Sequence, residues 1–416
     1  MSTTHNRPQK IMIIGAGPAG LACAEYLSQY NIDKNGNLIS PLKFDIKIYE
    51  QKTSAGRKFL MAGKTGLNIS HNEDFAQFIQ RYDHVQALQE ILNDYHAPQI
   101  MQWMQGLGIE PYIGSSGRIF PVEMKAAPLL RAWLKRLIAQ GVKLYYQQQC
   151  QQIDGNQVQI LDLKNQQLKT IDFDQLVLAC GGASWSRLGS DGRWQQWLDK
   201  DEIAPLQASN VGVLKAWSSF MQPYFGQPLK RVQAWSTLSD KHFGEMVISH
   251  YGLEGGLVYR CQRGLRLQYN EIQQATLYID LLPDIDQKTL LDKLLQYGQN
   301  KKLSLNTQWQ KLGLDKTKIA LLRDIVDKKD WSNAEKMQQH IKQLAIKIDG
   351  FRPMDEAISC AGGVKFSYLH ADLSLKRQSN IYLCGEMLDW DAPTGGYLLT
   401  ACLATGRHVA KHISTK

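Results

Sequence analysis

The chain has 416 residues, 44% of them hydrophobic and 21% charged, a globular balance with enough apolar residues for two or three cores. Lys and Arg number 48 against 39 Asp and Glu, and the formal net charge of +9 suits anionic ligands such as nucleotides. No run reaches the roughly 18 apolar residues of a membrane helix, and the seven cysteines form no CxxC pair, which predicts a cytoplasmic protein without a disulfide framework or zinc site.

The first predicted element is a buried parallel strand over residues 11–14, followed by a Gly-x-Gly-x-x-Gly pattern and a helix through Tyr30. Gly15 permits a tight turn, Gly17 lets the backbone approach a pyrophosphate, and Gly20 lets the helix pack on the strand. The free N–H groups at the helix start favour phosphate. We therefore expect a dinucleotide at Gly15, Ala16, Gly17, Pro18, Ala19 and Gly20.

A second strand over residues 43–50 alternates apolar side chains and ends in Glu50. A carboxylate at this position can accept both ribose hydroxyls of an adenosine and would repel a 2′-phosphate, which argues against NADP at this site. We include the next two residues, Gln51 and Lys52, in the expected cofactor site.

The loop after this strand contains Gly63-Lys64-Thr65, the end of a phosphate-binding P-loop, but Lys58 stands where that motif needs its first glycine. ATP hydrolysis is therefore not expected. The alternatives are a mobile surface loop and a basic loop that covers a bound dinucleotide and neutralises its pyrophosphate. The second alternative predicts cofactor contacts at Arg57, Lys58, Gly63, Lys64 and Asn68.

The middle of the chain begins with a predicted helix over residues 129–139 and a strand over 141–154, in which we expect Cys150 to contact the cofactor. Another buried strand over 175–184 ends in a glycine pair, and we expect cofactor contacts at Ala179, Cys180, Gly181 and Gly182. Short alternating runs then indicate a β-rich unit. A helical region follows, in which Ser332-x-x-Glu335 predicts the capping box of a helix with Ile341, Leu344 and Ala345 on one face.

These motifs together resemble the BaiN-like flavoproteins, also described as aminoacetone oxidase-like or YhiN-type FAD-binding enzymes. The resemblance spans nearly the whole chain and rests on IIGAGPAGL (13–21), GRKFLMAGKTGLN (56–68), LACGGASWSRLGSDG (178–192), GFRPMDEAISCAGGV (350–364) and CGEMLDWDAPTGGYLL (384–399). It implies an α/β fold: a Rossmann-like FAD-binding domain of the two-dinucleotide-binding type, with an inserted β-barrel-like unit and a helical subdomain. We expect the FAD-binding domain at 1–190 and 349–416, the β-rich insert at 191–283 and the helical insert at 284–348.

The resemblance also implies roles for the C-terminal motif. Gly385 and Glu386 would contact the ribityl chain, and the Thr394-Gly395-Gly396 helix start would lie under the pyrimidine edge of the isoalloxazine ring, where N–H groups stabilise negative charge. Asp391, Tyr397 and Leu398 complete the implied cofactor contacts. The chain departs from the family in two places: it has Gly66-Leu67-Asn68 where many members have Arg-Cys-Asn, and Gly-Glu where many have Gly-Asp.

The predicted function is an FAD-dependent oxidoreductase that acts on a small metabolite by hydride transfer at flavin N5. The favoured form is NAD(P)H-linked reduction of a C=C or C=O bond, with NAD(P)H as a transient reductant because no second dinucleotide motif is present. Three alternatives stay open: an amine oxidase that uses O2, an RNA-modifying flavoprotein, and a flavin-binding protein without turnover. We expect no stable nucleic acid, membrane partner or metal.

The residues on the substrate side have weaker signals, and no catalytic residue is identified. Arg352 and Glu356 either face the flavin or tie the insert to the FAD domain. Asp389 and Trp390 precede the helix start, where Trp390 either stacks on substrate or packs.

Overall fold

The structure is a computed structural model that describes residues 7–63, 66–300 and 302–416. The chain divides into two compact units. The first comprises Met1–Gln207 and Ser359–Lys416, and the second comprises Ala208–Ile358. The inserted segment is thus one unit that begins 17 residues later than the predicted boundary, and the predicted contact of Lys64 lies outside the described residues.

The strands of the described residues are β1 (Gln9–Ile14), β2 (Phe44–Glu50), β3 (Ser70–His71), β4 (Pro111–Ile113), β5 (Arg118–Pro121), β6 (Lys143–Tyr146), β7 (Gln148–Asp154), β8 (Gln157–Asp162), β9 (Gln167–Asp172), β10 (Gln175–Leu178), β11 (Ile203–Ser209), β12 (Val213–Leu214), β13 (Pro228–Trp235), β14 (His242–Ser249), β15 (Gly252–Glu254), β16 (Ala275–Asp280), β17 (Leu344–Ile348), β18 (Gly350–Phe351), β19 (Ser359–Val364), β20 (Ser374–Leu375) and β21 (Gln378–Leu383).

The α-helices of the described residues are α1 (Pro18–Ser28), α2 (Arg57–Ala62), α3 (Phe75–Ile79), α4 (Val85–Asp94), α5 (Ala97–Gly106), α6 (Ala126–Ala139), α7 (Gly256–Ile272), α8 (Gln287–Gly298), α9 (Leu305–Lys311), α10 (Lys316–Ile325), α11 (Ala334–Lys342) and α12 (Tyr397–Ser414). None of them is long and apolar enough to cross a bilayer.

The first unit is built on a six-stranded sheet in the order β20-β21-β10-β1-β2-β6. Neighbouring strands are parallel except β20 and β21, which run antiparallel. The apolar side chains of β1 are buried, which is typical of a sheet covered on both faces. The parallel pairing brings the carboxyl ends of β1, β2 and β10 to one edge, where ligands of doubly wound folds bind. The predicted α/β Rossmann-like fold is confirmed.

The segment predicted as one strand over 141–154 is in fact two strands. β6 continues the parallel sheet, whereas β7 starts an antiparallel meander with β8 and β9. Gln147 lies between them with φ of +57°, a left-handed conformation that redirects the chain. The pattern of apolar residues carries no signal for this bend.

The second unit contains a seven-stranded sheet in the order β17-β16-β13-β14-β15-β12-β18 together with helices α7 to α11. The predicted separation into β-rich and helical parts differs from this arrangement, since helix α7 lies between strands and β17 follows the helices.

Leu344 and Ala345 lie in β17, not on a helix, because residues 344–348 alternate buried and exposed side chains with a period of two. Helix α11 is capped by Asn333, whose side chain accepts from Lys336 N at 3.0 Å, so the predicted Ser332 cap is wrong.

Candidate functional site

A cleft with about 990 Å³ of empty space, counted out to its open mouth, lies at the carboxyl ends of β1, β2 and β10. It is formed entirely by the first unit. The predicted site residues that line it are Gly15, Gly17, Pro18, Ala19, Glu50, Gln51, Arg57, Lys58, Cys150, Ala179, Cys180, Gly181, Gly385 and Glu386. Segments that are distant in sequence thus meet around one cavity.

The three glycines of the first motif occupy different surroundings. Gly15 has φ of +106°, and a Cβ there would lie 2.4 Å from the carbonyl oxygen of Ala179. A Cβ on Gly20 would lie 2.1 Å from the oxygen of Gly15. Close packing therefore requires glycine at both positions. A Cβ on Gly17 would meet nothing within 4 Å. Gly17 is therefore the one of the three whose bare backbone faces open space in the cleft, where a phosphate can approach.

Glu50 ends β2 with both carboxylate oxygens already fixed by backbone donors. Oε2 accepts from Ala16 N at 3.0 Å and Oε1 accepts from Lys52 N at 2.8 Å. Burial raises the pKa of Glu50, although these two hydrogen bonds act to lower it. Each oxygen keeps a lone pair, so the carboxylate can still accept ribose hydroxyls. At this site, Ala16 and Lys52 contribute through their backbone N–H groups, which orient the Glu50 carboxylate.

The first part of the predicted basic loop is in fact helix α2, and it supplies two cations with different partners to the cleft. Lys58 Nζ donates at 2.6 Å to Glu386 Oε2 and at 2.6 Å to Ser184 Oγ. Arg57 donates to Thr53 Oγ1 at 3.1 Å, while its Nε is buried without a hydrogen-bond partner among the residues that the structure describes. The first cation is held in an ion pair, and the second keeps a donor available to a ligand.

Two buried tryptophans hold the glycine turns that border the cleft. Trp194 Nε1 donates to the carbonyl oxygen of Gly181 at 2.8 Å, and Trp390 Nε1 donates to that of Gly385 at 2.9 Å. Both glycines have left-handed backbones, with φ of +71° and +82°. Trp390 is only 1% exposed, so its side chain packs in the core and its hydrogen bond positions the Gly385 turn.

The start of helix α12 does not line the cleft itself. A Cβ on Gly396 would lie 2.5 Å from Ser70 Cα, and one on Gly395 would lie 2.7 Å from the Tyr397 ring, so local packing requires both glycines. The Tyr397 hydroxyl donates to Glu73 Oε1 at 2.5 Å. The implied contacts of Gly395, Gly396, Tyr397 and Leu398 with the flavin ring stay predictions.

The other predicted cofactor residues that the structure describes do not line the cleft. Gly63 packs on Ala126, and Gly182 packs on Cys360, whose sulfur would lie 1.8 Å from an added Cβ. Asp391 is buried and its side chain accepts from Ala392 N at 2.9 Å. Asn68 has a buried Oδ1 that finds no hydrogen-bond partner in residues 7–63, 66–300 and 302–416.

Three cysteines line the cleft, and all are protonated at neutral pH. Burial raises the pKa of Cys150 and of Cys402 to about 12, and burial raises that of Cys180 well above its ordinary value. Because the thiolate is the reactive form, these side chains are apolar lining groups and not a redox pair.

Sequence reasoning missed the segment that follows Gly182. Ser190, Asp191 and Arg193 line the cleft, as do Gln148 and Gln149 of β7. The signal that could have found the segment is the LGSDG sequence, whose two glycines mark a turn. Gln51 Nε2 reaches the oxygen of Gly189 in this turn at 2.9 Å.

The cleft fits FAD on features of its own residues. Within the described part of the chain, Ser190 Oγ and Arg57 Nε are buried at its lining without hydrogen-bond partners, which suits polar atoms of a ligand. Gly17 leaves space beside the start of α1, where Pro18 occupies the first helical turn and no side chain caps the helix.

The weaker substrate-side residues are placed in separate units. In the second unit, the Arg352 guanidinium bonds Glu356 and lies 4.4 Å from the centroid of the Tyr251 ring. In the first unit, Asp389 Oδ2 lies 3.6 Å from His84 Nε2, and burial raises the pKa of Asp389.

Comparisons with known proteins agree with the geometry. The model of the HI0933-like protein Rossmann domain matches residues 9–412. A 3-dehydro-bile acid delta(4,6)-reductase of Clostridium scindens is 24% identical over 95% of this chain and 97% of its own.

Two solved structures are similar in fold at low sequence identity. A flavocytochrome c3 fumarate reductase has a TM-score of 0.48 and 14% identity, covering 98% of this chain and 79% of its own. A 3-ketosteroid-delta4-(5alpha)-dehydrogenase of Rhodococcus jostii RHA1 has a TM-score of 0.45 and 11% identity, covering 98% and 97%. These two similarities carry no inference about function.

The family match extends over all the motifs on which the predicted resemblance rested, so that resemblance and the predicted cofactor are confirmed. With its model matched from residue 9 to residue 412, the chain belongs to the HI0933-like family of FAD-binding Rossmann proteins and is an FAD-dependent oxidoreductase.

Proposed function

We propose that this oxidoreductase uses NAD(P)H to reduce a C=C or C=O bond of a small metabolite. The observation that carries the proposal is the similarity over 95% of this chain to a relative named as a reductase. In the described lining of the flavin cleft, burial raises the pKa of Cys150, Cys180 and Cys402. A dithiol relay is therefore disfavoured, and a dissociable hydride donor is the simplest source of electrons.

A conjugated C=C bond is the first acceptor to test, because the C. scindens relative is named a 3-dehydro-bile acid delta(4,6)-reductase and a Δ4 double bond is conjugated with a 3-oxo group. In the proposed reaction, NAD(P)H gives up a hydride and becomes NAD(P)⁺. One carbon of the double bond gains that hydride, the other gains a proton, and the product is the saturated ketone. Bound FAD supplies two-electron transfer at its N5 atom.

The chain's own residues bind and orient the cofactor in this proposal. The start of α1 and the bare backbone of Gly17 would face the pyrophosphate. Glu50 would accept ribose hydroxyls, with its orientation fixed by Ala16 N and Lys52 N. Lys58 and Glu386 would bind the polar chain between nucleotide and ring, and the Trp194 and Trp390 hydrogen bonds would hold the flanking turns in place.

The test is anaerobic absorbance spectroscopy of the FAD-loaded protein. We expect NADH or NADPH to bleach the flavin band, and one equivalent of 2-cyclohexenone to restore it with formation of cyclohexanone. Cyclohexanone, added in place of the enone, is the control that separates C=C from C=O reduction. A flavin that neither nucleotide bleaches, but that amines bleach with peroxide release on readmission of O2, would contradict the proposal and favour an amine oxidase.

A further inference from the structure

A second, open cavity with about 1140 Å³ of empty space, counted out to its open mouth, lies at the other end of helix α1, in the first unit. It shares no lining residue with the flavin cleft. Its walls include three aromatic side chains, Tyr26, Tyr95 and Trp103, and three cations, Arg136, Arg407 and Lys411. The cavity thus combines flat apolar surface with positive charge.

Two of the three cations are neutralised by carboxylates. Arg136 Nη1 donates to Glu25 Oε1 at 2.9 Å, and the Glu25 side chain is only 1% exposed. Trp103 Nε1 donates to the other oxygen of Glu25 at 2.7 Å. Lys411 Nζ lies 2.6 Å from Asp94 Oδ2. Glu25 also interacts electrostatically with Arg407. Two carboxylates, Glu25 and Asp94, thus face three cations, and the group keeps one excess positive charge.

Arg407 makes no hydrogen bond or ion pair to another residue in the described part of the chain. Its guanidinium carbon lies 4.5 Å from the ring centroid of Tyr95 and 5.2 Å from that of Tyr26. The two rings hold the planar group in place and leave its N–H donors unused. Since the side chain is only partly buried, these donors can reach a ligand in the cavity.

We propose that this cavity, here called the Arg407 groove, binds a small organic anion with a carboxylate on a flat apolar ring. A carboxylate matches the fork of an arginine with two parallel hydrogen bonds, which are stronger than bonds to a neutral group. The aromatic walls suit a ring system, and the amides of Gln29 and Gln102 offer hydrogen bonds at the rim. The site is separate from the flavin and from the proposed reaction.

The test is isothermal titration calorimetry of the FAD-loaded protein with 2-naphthoate as probe and 2-naphthamide as its neutral analogue. We expect 2-naphthoate to bind with a Kd of about 1 mM or tighter, from its size, and 2-naphthamide to bind at least about tenfold more weakly. Arg407→Gln should weaken 2-naphthoate at least about tenfold, because the charge-assisted pair is lost. Arg131→Gln, which removes an exposed arginine outside the lining, should leave the Kd unchanged.

A second variant keeps the proposal testable if Arg407→Gln does not fold. Gln102 is exposed at the rim, and Gln102→Glu adds a negative charge there without disturbing the core. It should raise the 2-naphthoate Kd by about threefold or more and leave flavin absorbance unchanged. The proposal is overturned if wild-type protein does not bind 2-naphthoate saturably, if the amide binds equally well, or if binding is the same in the groove variants and in wild type.

Discussion

Lys58 and Glu386, separated by 328 positions in sequence, form an ion pair of 2.6 Å at the lining of the flavin cleft. The Glu386 side chain is 11% exposed and that of Lys58 is 26% exposed. Glu386 is held a second time, because its Oε1 accepts from Cys360 N at 3.2 Å. The pair therefore joins helix α2 to the C-terminal motif through contacts of the chain alone.

We expect this pair to be energetically coupled. Lys58→Met leaves a mostly buried carboxylate without its cation, and Glu386→Gln leaves the ammonium without its anion, so each should lower the free energy of unfolding by roughly 2 kcal/mol. The double variant should lose roughly 1 kcal/mol less free energy of unfolding than the two single variants lose in sum. Urea denaturation followed by tryptophan fluorescence measures these free energies. Strictly additive losses would show that the two residues stabilise the unit independently.

The control for this double-mutant comparison is an exposed ion pair in the second unit. Lys329 Nζ lies 3.0 Å from Asp327 Oδ2, with side chains 72% and 58% exposed. Lys329→Met should change the free energy of unfolding by less than about 1 kcal/mol, because water screens the pair.

Gly17 and Gly20 should separate cofactor binding from folding. Gly17 has φ of −82° and open space where a Cβ would lie, so Gly17→Ala should fold normally and gain up to about 1 kcal/mol of stability. The same methyl group points into the cleft and should weaken FAD by about tenfold or more, measured by flavin fluorescence. Gly20→Ala places Cβ 2.1 Å from Gly15 O and should destabilise the fold. Tight FAD binding by Gly17→Ala would show that the pyrophosphate does not approach there.

Much of the FAD-binding part of the first unit could be predicted, because the sequence patterns that indicate it lie within short segments. The strand–glycine–helix pattern needs only residues 9–30, and the acidic end of β2 follows from alternation in a short run. The pairing of Lys58 with Glu386 could not be predicted, since it depends on how the C-terminal segment returns to the sheet. The Gly395-Gly396 pair illustrates a second limit: the sequence signals close approach, but it does not show that Ser70 is the approaching group.

The insert was harder to predict for a physical reason. Leu344 follows the amphipathic helix α11 with no proline or glycine between them, and a short apolar run such as residues 344–348 fits either period. Residues 344–348 form a strand because they pair with β16, a strand about 70 positions earlier. Likewise, helix α7 lies among short strands because its apolar face packs on β14 and β16.

The tryptophan hydrogen bonds give a further prediction about FAD affinity. Trp390→Phe keeps the ring in the core and removes the donor to Gly385 O, which costs roughly 1–2 kcal/mol and loosens a left-handed turn at the cleft. We expect FAD to bind about tenfold more weakly. Trp331→Phe removes an equivalent bond, from Nε1 to Val326 O at 3.0 Å, in the second unit. It should leave FAD affinity unchanged; equal weakening in both variants would contradict a role of Trp390 in holding the turn.

Glu73 gives the stability of the first unit a defined pH dependence. Burial acts to raise the pKa of Glu73, but hydrogen bonds from Arg81 and the Tyr397 hydroxyl outweigh it, and the pKa lies below its ordinary value of 4.5. Because the folded-state pKa is lowered, the stabilisation is present above the unfolded pKa and is lost as pH falls through the folded pKa.

Glu73→Gln should therefore cost roughly 1–2 kcal/mol at pH 7, and the difference from wild type should shrink as the pH falls below about 4.5. The matched control is Glu123→Gln, at an exposed glutamate without a hydrogen bond or ion pair to another residue that the structure describes. That variant should differ little from wild type at any pH. Urea denaturation at pH 7, 5 and 4 makes the measurement, and a Glu73→Gln deficit that stays constant across this range would show that the ionised carboxylate is not what stabilises the Tyr397 contact.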